Sequence, residues 1–359
     1  MFSKTFSNPN YRYLFAVKKL SALQYVLLTL WLILNCTHTL AQHLQPYSFS
    51  KPAMGTQLNI TLYATGAQRA NEVALAVFER VGQLNAIFSD YDADSEVNRL
   101  CTKENFNTWV KVSDELFDIL QLSKKVSKST KGAFDVTMGK YTRLWRQSKR
   151  DNKLPSKEEL GAGKTFGYDD VLLKVRDRTV KIKNPEILMD FGGIAKGYTA
   201  QQILILLKEN RIEHALIDFG GDITVSNAPP NRKGWNIEVK YEDTTGEALE
   251  ILSVDNLSVA TSGDLYQKVS IQGETYSHII DPATGLGITS PIQVTVIATS
   301  GALADSYATA LSVMGMARAK KFLKRKRNKD VHSLISYVEN GTIKVWKSDY
   351  FDSFKVADE

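Results

Sequence analysis

The sequence is poor in cysteine and histidine, the side chains that bind most transition metals in proteins. Its 359 residues include two cysteines, Cys36 and Cys101, and five histidines. If residues 1–41 are removed, Cys101 is the only cysteine left, which excludes an intramolecular disulfide and a cysteine-based metal cluster in the mature chain. No two of the four remaining histidines have metal-ligand spacing, which argues against a histidine-bound zinc site.

The N-terminal segment lacks an apolar run long enough to cross a bilayer. Residues 20–34 form an apolar run that contains polar side chains and falls short of the roughly 20 residues that a transmembrane helix needs. Two lysines precede the run, and Thr39 and Ala41 supply small residues after it. We therefore predict a secretory signal peptide at residues 1–41 and a single domain at 42–359, with an uncleaved anchor as the alternative.

Cys36 leaves a second form of the signal open. The residues before it resemble a lipoprotein box only loosely, because Asn35 stands where a small residue is expected. If that box is used, the signal ends before Cys36 and the chain is lipid-anchored. Otherwise the exported chain is soluble.

Little of the positive charge belongs to the predicted mature chain. The formal net charge is +6, but residues 1–41 hold four basic side chains and no acidic one, so residues 42–359 carry +2. One dense basic stretch remains at 320–329, and it is either a solvated helix end or a functional patch. We predict no nucleic-acid partner.

Hydrophobic periodicity predicts an α+β (mixed α/β) fold. Alternating patterns predict strands at 58–63, 214–219 and 292–298, and a hairpin over 333–345 that turns at Asn340-Gly341. Helical spacing predicts helices at 69–89, 113–126, 194–210 and 302–313. A short strand at 187–190 would complete a βαβ unit over 187–219, and the polar residues 147–167 are predicted to be a surface excursion.

Asp305 and Thr309 lie in an otherwise apolar helix opening. Because they are four residues apart, they share one face of the helix. Such an oxygen pair suits Mg²⁺, which binds carboxylate and neutral oxygens together with substrate phosphate and water. The alternative is structural, with Asp305 capping the helix and Thr309 hydrogen-bonding back to the main chain.

Two other segments combine a polar side chain with glycines. In residues 276–285, His278 is either a base for an attacking hydroxyl at neutral pH or a structural histidine. In residues 190–198, Lys196 and backbone amides near a helix start would attract phosphate, although tight packing explains the glycines equally well. The glycine spacing matches neither the Walker nor the Rossmann pattern.

Met54 and Tyr91 are weaker candidates. A thioether and an aromatic ring could sandwich a flat heterocycle, but each residue is individually typical of packing or turns.

Eight short motifs follow one another along the chain. They are MGT at 54–56, SDY at 89–91, GAFDVT at 132–137, DFGGIAKGY at 190–198, FGGD at 219–222, TSGD at 261–264, HIIDPATG at 278–285 and ADSYATAL at 304–311. In this order they resemble the ApbE family of FAD:protein FMN transferases. The resemblance implies an ApbE-like fold of mixed β-sheets flanked by helices in a single catalytic domain.

The resemblance also implies an activity. In the family, FMN is transferred from FAD to a Ser or Thr hydroxyl of an acceptor protein through a phosphoester bond, with Mg²⁺ as cofactor and AMP as the product released. Acceptors include subunits of sodium-translocating NADH:quinone reductase and related electron-transfer proteins. Together with the signal peptide, this implies a location on the periplasmic side of the inner membrane, lipid-anchored or soluble.

Carried over position by position, the resemblance assigns the site. The residues implied to contact FAD are Met54, Tyr91, Ala133, Phe134, Asp135, Asp190, Lys196, His278 and Ile279. Mg²⁺ would be held by the backbone oxygen of Gly193 and the side chains of Asp305 and Thr309, with His278 and Asp305 as the catalytic residues. Two alternatives share this site: an FAD pyrophosphatase, in which water replaces the acceptor hydroxyl, and a flavin-binding protein without turnover.

Overall fold

The strands of the domain form one large sheet and several small ones. The computed structural model describes residues 43–161, 167–263 and 268–356. In chain order its strands are β1 (Gln45–Ala53), β2 (Thr56–Ala64), β3 (Val110–Lys111), β4 (Val171–Lys174), β5 (Thr179–Ile182), β6 (Ala215–Phe219), β7 (Asp222–Val225), β8 (Trp235–Asp243), β9 (Gly246–Val254), β10 (Ser258–Gly263), β11 (Lys268–Ile271), β12 (Glu274–Ser277), β13 (Ile280–Asp281), β14 (Leu286–Gly287), β15 (Ile292–Ala298), β16 (His332–Glu339) and β17 (Thr342–Lys347).

Seven helices lie between these strands in the residues that the structure describes. They are α1 (Ala67–Phe88), α2 (Glu96–Leu100), α3 (Asp114–Thr130), α4 (Gly139–Asp151), α5 (Lys157–Leu160), α6 (Ala195–Glu209) and α7 (Gly301–Leu323). Single 3₁₀ turns lie at Lys103–Asn105, Tyr168–Asp170, Lys326–Asn328 and Phe351–Phe354. Ser113 caps α3 by accepting a hydrogen bond from the amide of Leu116, which is why the helix begins where its capping residue predicts.

The large sheet has eight strands in the order β1-β2-β6-β7-β10-β15-β16-β17. Every neighbouring pair from β2 to β17 is antiparallel. Smaller antiparallel groups are β3-β5-β4, β8-β9, β11-β12 and β13-β14. The architecture has the mixed α/β composition that the periodicity predicts.

Strand β15 is buried along its whole length. Because side chains alternate between the faces of a strand, Val294 and Val296 pack with Ala304 and Leu311 of α7, whereas Ile297 lies in the cluster formed with the β8-β9 hairpin. Covering both faces explains a strand that is rich in β-branched residues and has no exposed position. This packing fixes α7, which carries Asp305 and Thr309, against the sheet.

Helices α1 and α6 pack together on β2 and β6. Val73 and Val77 of α1 and Ile203 and Leu207 of α6 share one core cluster with the apolar side chains of these strands. The start of α6 is thereby held beside the turns at the ends of β2 and β6. Those turns contain two of the eight motifs.

The predicted strand at 187–190 is wrong. Leu188 forms only an isolated parallel bridge with Met138, and the amide of Asp190 donates to the carbonyl of Val136 at 2.8 Å. Ile187 and Met189 are buried in the core. Their apolar side chains therefore do not indicate that the segment is a strand of a β-sheet. The βαβ unit is also wrong, since β6 pairs antiparallel with β2 and β7.

Residues 147–161 of the predicted surface excursion contain helical structure. Helix α4 continues to Asp151, and α5 adds a further turn over Lys157–Leu160, capped by a reciprocal pair of hydrogen bonds between Ser156 and Glu159. The other predicted helices and strands are confirmed to within a few residues, except that α7 continues ten residues beyond its predicted end across a non-helical Gly315. The last hairpin turns at Asn340 and Gly341, both with positive φ.

The residues from Pro46 onward form one compact unit, and the segment Met1–Gln45 is a separate unit described only from residue 43. The predicted signal peptide and Cys36 lie outside the described residues, as does Asp264 of the TSGD motif. Within the described ranges, every helix is too short or too polar to cross a membrane.

Candidate active site

The first turns of α6 and α7 meet at two glycines, Gly197 and Gly301. A Cβ atom added to either glycine would collide with the backbone carbonyl of the other. Glycine at both positions therefore lets the two helix backbones approach closely. The crossing brings residues 193–196 next to residues 305–309.

The three predicted magnesium ligands lie together at this crossing. A Cβ atom on Gly193 would be 2.9 Å from Oγ1 of Thr309, and Asp305 lies one turn earlier on the same helix. The carboxylate of Asp305 is almost fully buried, and its Oδ2 accepts a 3.2 Å hydrogen bond from the amide of Gly197. Carboxylate, hydroxyl and carbonyl oxygens are ligands that Mg²⁺ prefers, so the residues present fit this metal.

The structural alternative for Asp305 and Thr309 does not hold. Ser300 caps α7, so Asp305 does not cap its own helix. Ser306 and Ser312 hydrogen-bond back to carbonyls of the preceding turn, but Thr309 makes no such bond to the part of the chain that the structure describes. Within the same ranges no three His, Cys, Asp or Glu side chains gather as a metal site. The candidate site has one acidic side chain and relies otherwise on neutral oxygens.

Lys196 connects this site to a second carboxylate, that of Asp222. Its Nζ lies 2.9 Å from Oδ2 of Asp222 and 3.6 Å from Oδ2 of Asp305. Burial lowers the pKa of Lys196, but attraction to Asp305 and then to Asp222 outweighs it and the net pKa is raised. Burial raises the pKa of Asp305, and Lys196 opposes that rise. Lys196 is therefore a fixed positive charge, held in part by Asp222, a residue that the sequence placed in a motif without a role.

The GAFDVT motif forms a buried turn beside Gly193. Ala133, Phe134 and Asp135 are all buried, and Cε2 of Phe134 would lie 3.4 Å from a Cβ atom on Gly193. Oδ1 of Asp135 accepts hydrogen bonds from the amide and the hydroxyl of Thr137 at 2.9 and 2.7 Å. The carboxylate of Asp135 thus shapes the turn, and the turn lies against the helix crossing.

Met54 lies in the turn between β1 and β2, with a positive φ of 48°. Its side chain is half-buried against the core that α1 and α6 share. Thr56, two residues on, fills the space over Gly220, where a Cβ atom would collide with the threonine hydroxyl. The MGT and FGGD motifs therefore meet, on the side of the sheet where Asp222 contacts Lys196.

Tyr91 and Asp190 are joined by Arg146, a residue of α4 that no motif singled out. Tyr91 is 79% exposed, whereas the carboxylate of Asp190 is largely buried. The guanidinium of Arg146 stacks on the first and hydrogen-bonds to the second. The periodicity of α4 could have revealed the helix, but nothing local to Arg146 indicates its partners.

The HIIDPATG segment packs on the same helix. Gly285 lies against the ring of Tyr141, and Gly287 lies against the ring of Trp145, so closely that a Cβ atom on either glycine would clash. Ile279 is buried in the core beside α7. The segment is therefore fixed between α4 and α7, the two helices that carry Arg146 and Asp305.

His278 is exposed, as are Ala283 and Thr284 of this segment. Its pKa is lowered first by partial desolvation of the ring and then by repulsion from Lys149 and Lys196. Imidazole is accordingly neutral at physiological pH and has a nitrogen lone pair free to accept a proton. Part of that repulsion comes from Lys196, the positive charge that lies beside Asp305.

Known proteins are similar to this chain in sequence. The model of the ApbE family matches residues 54–335. The chain is 29% identical over 309 residues to the FAD:protein FMN transferase of Haemophilus influenzae, a match that covers 82% of this chain and 88% of that protein. It is 30% identical over 275 residues to the FAD:protein FMN transferase of Vibrio cholerae, with 75% and 81% covered.

Solved structures share the fold. The flavin transferase ApbE from Vibrio cholerae superposes with a TM-score of 0.78 and 27% sequence identity, covering 87% of this chain and 100% of that one. The apo flavinyl transferase ApbE of Pseudomonas stutzeri, at 24% identity and a TM-score of 0.76, shows the same fold. The predicted single-domain architecture of mixed sheets and flanking helices is confirmed.

Proposed function

The chain belongs to the ApbE family, as its motifs predict, and we propose that it is a magnesium-dependent FAD:protein FMN transferase. The predicted class of enzyme, a transferase, agrees with the names of its relatives. In the proposed reaction FAD is the substrate, a Ser or Thr hydroxyl of another protein is the acceptor, and AMP is released. The observation that carries the proposal is the meeting of Gly193, Lys196, Asp305 and Thr309 where α6 crosses α7.

Gly193, Asp305 and Thr309 would hold the metal. When bound, Mg²⁺ supplies Lewis-acid chemistry by neutralising charge on the pyrophosphate. Lys196 contributes a positive charge of the protein's own, and its contacts with Asp222 and Asp305 fix the position of that charge. A preorganised charge costs no reorganisation as the transition state forms.

We propose that the predicted flavin contacts hold FAD beside this charge. Met54 and Tyr91 would hold the isoalloxazine ring by thioether and aromatic contact, since Tyr91 leaves most of its ring open to a ligand. The buried turn at 133–135 lies against Gly193, and Asp190 begins the motif that ends at the start of α6. These placements support FAD contacts on both sides of the crossing.

His278 is the proposed base. Its exposed position suits a proton donor that arrives on another protein, and its lowered pKa keeps the ring neutral. As the acceptor hydroxyl loses its proton to His278, its oxygen bonds to the phosphorus of FMN. The phosphoanhydride bond to AMP breaks, and AMP leaves with the electron pair.

Incubation of the protein with FAD, Mg²⁺ and a candidate acceptor tests the proposal. We expect the acceptor to gain the mass of an FMN phosphoester, seen by mass spectrometry, with one AMP released for each FMN attached. Consumption of FAD without a mass gain would indicate a pyrophosphatase instead. FAD that stays intact at every Mg²⁺ concentration would indicate a binding protein. Either outcome overturns the transferase.

The acceptor and the location are further parts of the proposal. We propose an exported enzyme on the periplasmic side of the inner membrane, acting on flavoprotein subunits such as those of sodium-translocating NADH:quinone reductase or related complexes. The signal peptide predicted at residues 1–41 supports export. The intact mass of the mature protein tests this, since cleavage after Ala41 and lipidation of Cys36 give different masses, and retention of residues 1–41 contradicts both.

A further inference from the structure

Arg146 connects three parts of the chain that are distant in sequence. Its Nη1 lies 2.5 Å from Oδ2 of Asp90, and its Nη2 lies 3.3 Å from Oδ2 of Asp190. The guanidinium carbon lies 4.0 Å from the centroid of the Tyr91 ring. One side chain of α4 thus joins the loop after α1, the loop before α6 and an exposed aromatic ring.

The two carboxylates hold Arg146 in a defined position. Both are largely buried, with side-chain exposures of 8% for Asp90 and 13% for Asp190. Burial and then the nearby charge of Asp190 raise the pKa of Asp90, and Arg146 opposes both effects. The guanidinium therefore offsets a repulsion between two acids, and its planar fork is oriented by contacts on two sides.

The surface loop that carries Tyr91 is held by Asn98, whose Nδ2 donates to the carbonyls of Ser89 and Asp92. Tyr91 itself is 79% exposed, and the guanidinium of Arg146 lies over its ring. Arginine stacks favourably on aromatic faces, and the contact strengthens when the cation is itself held in place. The opposite face of the ring is left open.

We propose that Arg146 is a positioning residue for flavin binding, holding the Tyr91 ring so that its open face receives the isoalloxazine of FAD. The inference rests on the proposed function, because it takes Tyr91 as a flavin contact. A ring ordered before FAD arrives loses less conformational freedom on binding, and preorganisation of this kind raises affinity. Arg146 acts through Tyr91 and need not touch FAD.

A titration of flavin fluorescence, with FAD but without Mg²⁺ or acceptor, measures binding free of turnover. We expect Arg146→Met to raise the Kd for FAD about tenfold and Arg146→Lys to raise it less, because lysine keeps the charge but not the planar stack. Arg150→Met is the matched control. Arg150 lies one turn later on α4 and is exposed, so its loss should leave the Kd within about twofold of wild type.

The Tyr91→Leu background separates positioning from general damage. If Arg146 acts through the ring, Arg146→Met adds less than about twofold to the Kd once the ring is gone. An equal loss in both backgrounds would overturn the inference, as would wild-type affinity in Arg146→Met. Thermal unfolding of each variant checks that it is folded, and Arg146→Lys keeps the test valid if the methionine variant is not. Failure of the wild-type protein to bind FAD would instead overturn the proposed function.

Discussion

The backbone amide of Gly197, in the first turn of α6, donates a 3.2 Å hydrogen bond to Oδ2 of Asp305 on α7. Amides in a first helical turn have no partner in their own helix and lie at the positive end of the helix dipole, so a carboxylate there is stabilised. The start of one helix therefore positions a predicted metal ligand on another. The arrangement depends on how closely the two helices approach.

Gly197→Ala should separate the helices. The added Cβ atom meets backbone rather than a flexible side chain, so we expect the free energy of unfolding to fall by about 1–3 kcal/mol. Urea denaturation measures the change. We also expect AMP release from FAD to fall by more than the loss of folded protein explains, because Lys196 and Asp305 would no longer meet.

Gly82→Ala is the matched control for the helix crossing. Gly82 is an exposed glycine within α1, and a Cβ atom there meets nothing within 4 Å. Alanine should therefore stabilise the protein by about 0.5–1 kcal/mol through its higher helix propensity. If both substitutions change stability in the same direction and by similar amounts, close approach at Gly197 is not the reason for its glycine.

Asp305→Ala should abolish AMP release while weakening FAD binding less. Loss of a metal ligand removes several kcal/mol of transition-state stabilisation, so we expect the rate to fall at least about 100-fold. Chromatography of AMP at saturating FAD and Mg²⁺ measures the rate. Ser312→Ala, which removes a buried hydroxyl from the same helix, controls for damage to α7. If AMP release survives in Asp305→Ala, the proposed metal site is wrong.

Local patterns were enough to predict much of the fold. Residues 292–298 form β15 at the predicted bounds, and Asn340-Gly341 makes the predicted turn, because alternation and turn chemistry are set by neighbouring residues. The segment 187–190 shows the limit of prediction from local patterns. Its apolar residues are buried by residues 136–138 alongside, and periodicity does not distinguish such burial from a strand.

The candidate site could also be predicted only in part from local patterns. The spacing of Asp305 and Thr309 predicts a shared helix face, but the approach of Gly193 depends on tertiary packing and was implied only by resemblance. Asp222 and Arg146 could not be predicted, because a single charge in a glycine-rich turn or on a polar helix resembles any solvated charge. Their partners lie far along the chain, at Lys196 and at Asp90.

Asp222→Asn tests the anchoring of Lys196. The pair is mostly buried, at 26% and 12% side-chain exposure. Among the described residues, the change leaves Lys196 with Asp305 as its charged partner, so we expect a loss of about 2 kcal/mol in stability. Glu339→Gln breaks an exposed pair with Lys344, which solvent screens, and should lower stability by much less. Chemical denaturation compares the two. Equal losses would show that Asp222 contributes no more than a surface charge.

His278 predicts the acid limb of the pH profile. Its pKa is lowered by desolvation and by Lys149 and Lys196, and the neutral ring is the form that accepts a proton. The midpoint of the acid limb therefore lies below the ordinary histidine pKa of about 6.5, so the rate of FMN transfer should still be near its plateau at that pH and fall only at lower pH. His278→Gln should lower the rate by about 10²–10⁴ and remove this limb.

Lys149→Met tests the assignment of the acid limb to His278 by the direction in which the limb moves along the pH axis. Removing one of the two cations that repel the protonated ring makes protonation easier, so the pKa of His278 rises toward its ordinary value and the acid limb moves to higher pH. The plateau rate above that limb should be unchanged, because the neutral ring is the same in both proteins. Initial rates of acceptor flavinylation between pH 5 and 8 in buffers of constant ionic strength measure the shift. A limb that stays in place in Lys149→Met and persists in His278→Gln belongs to another group, and His278 is then not the base.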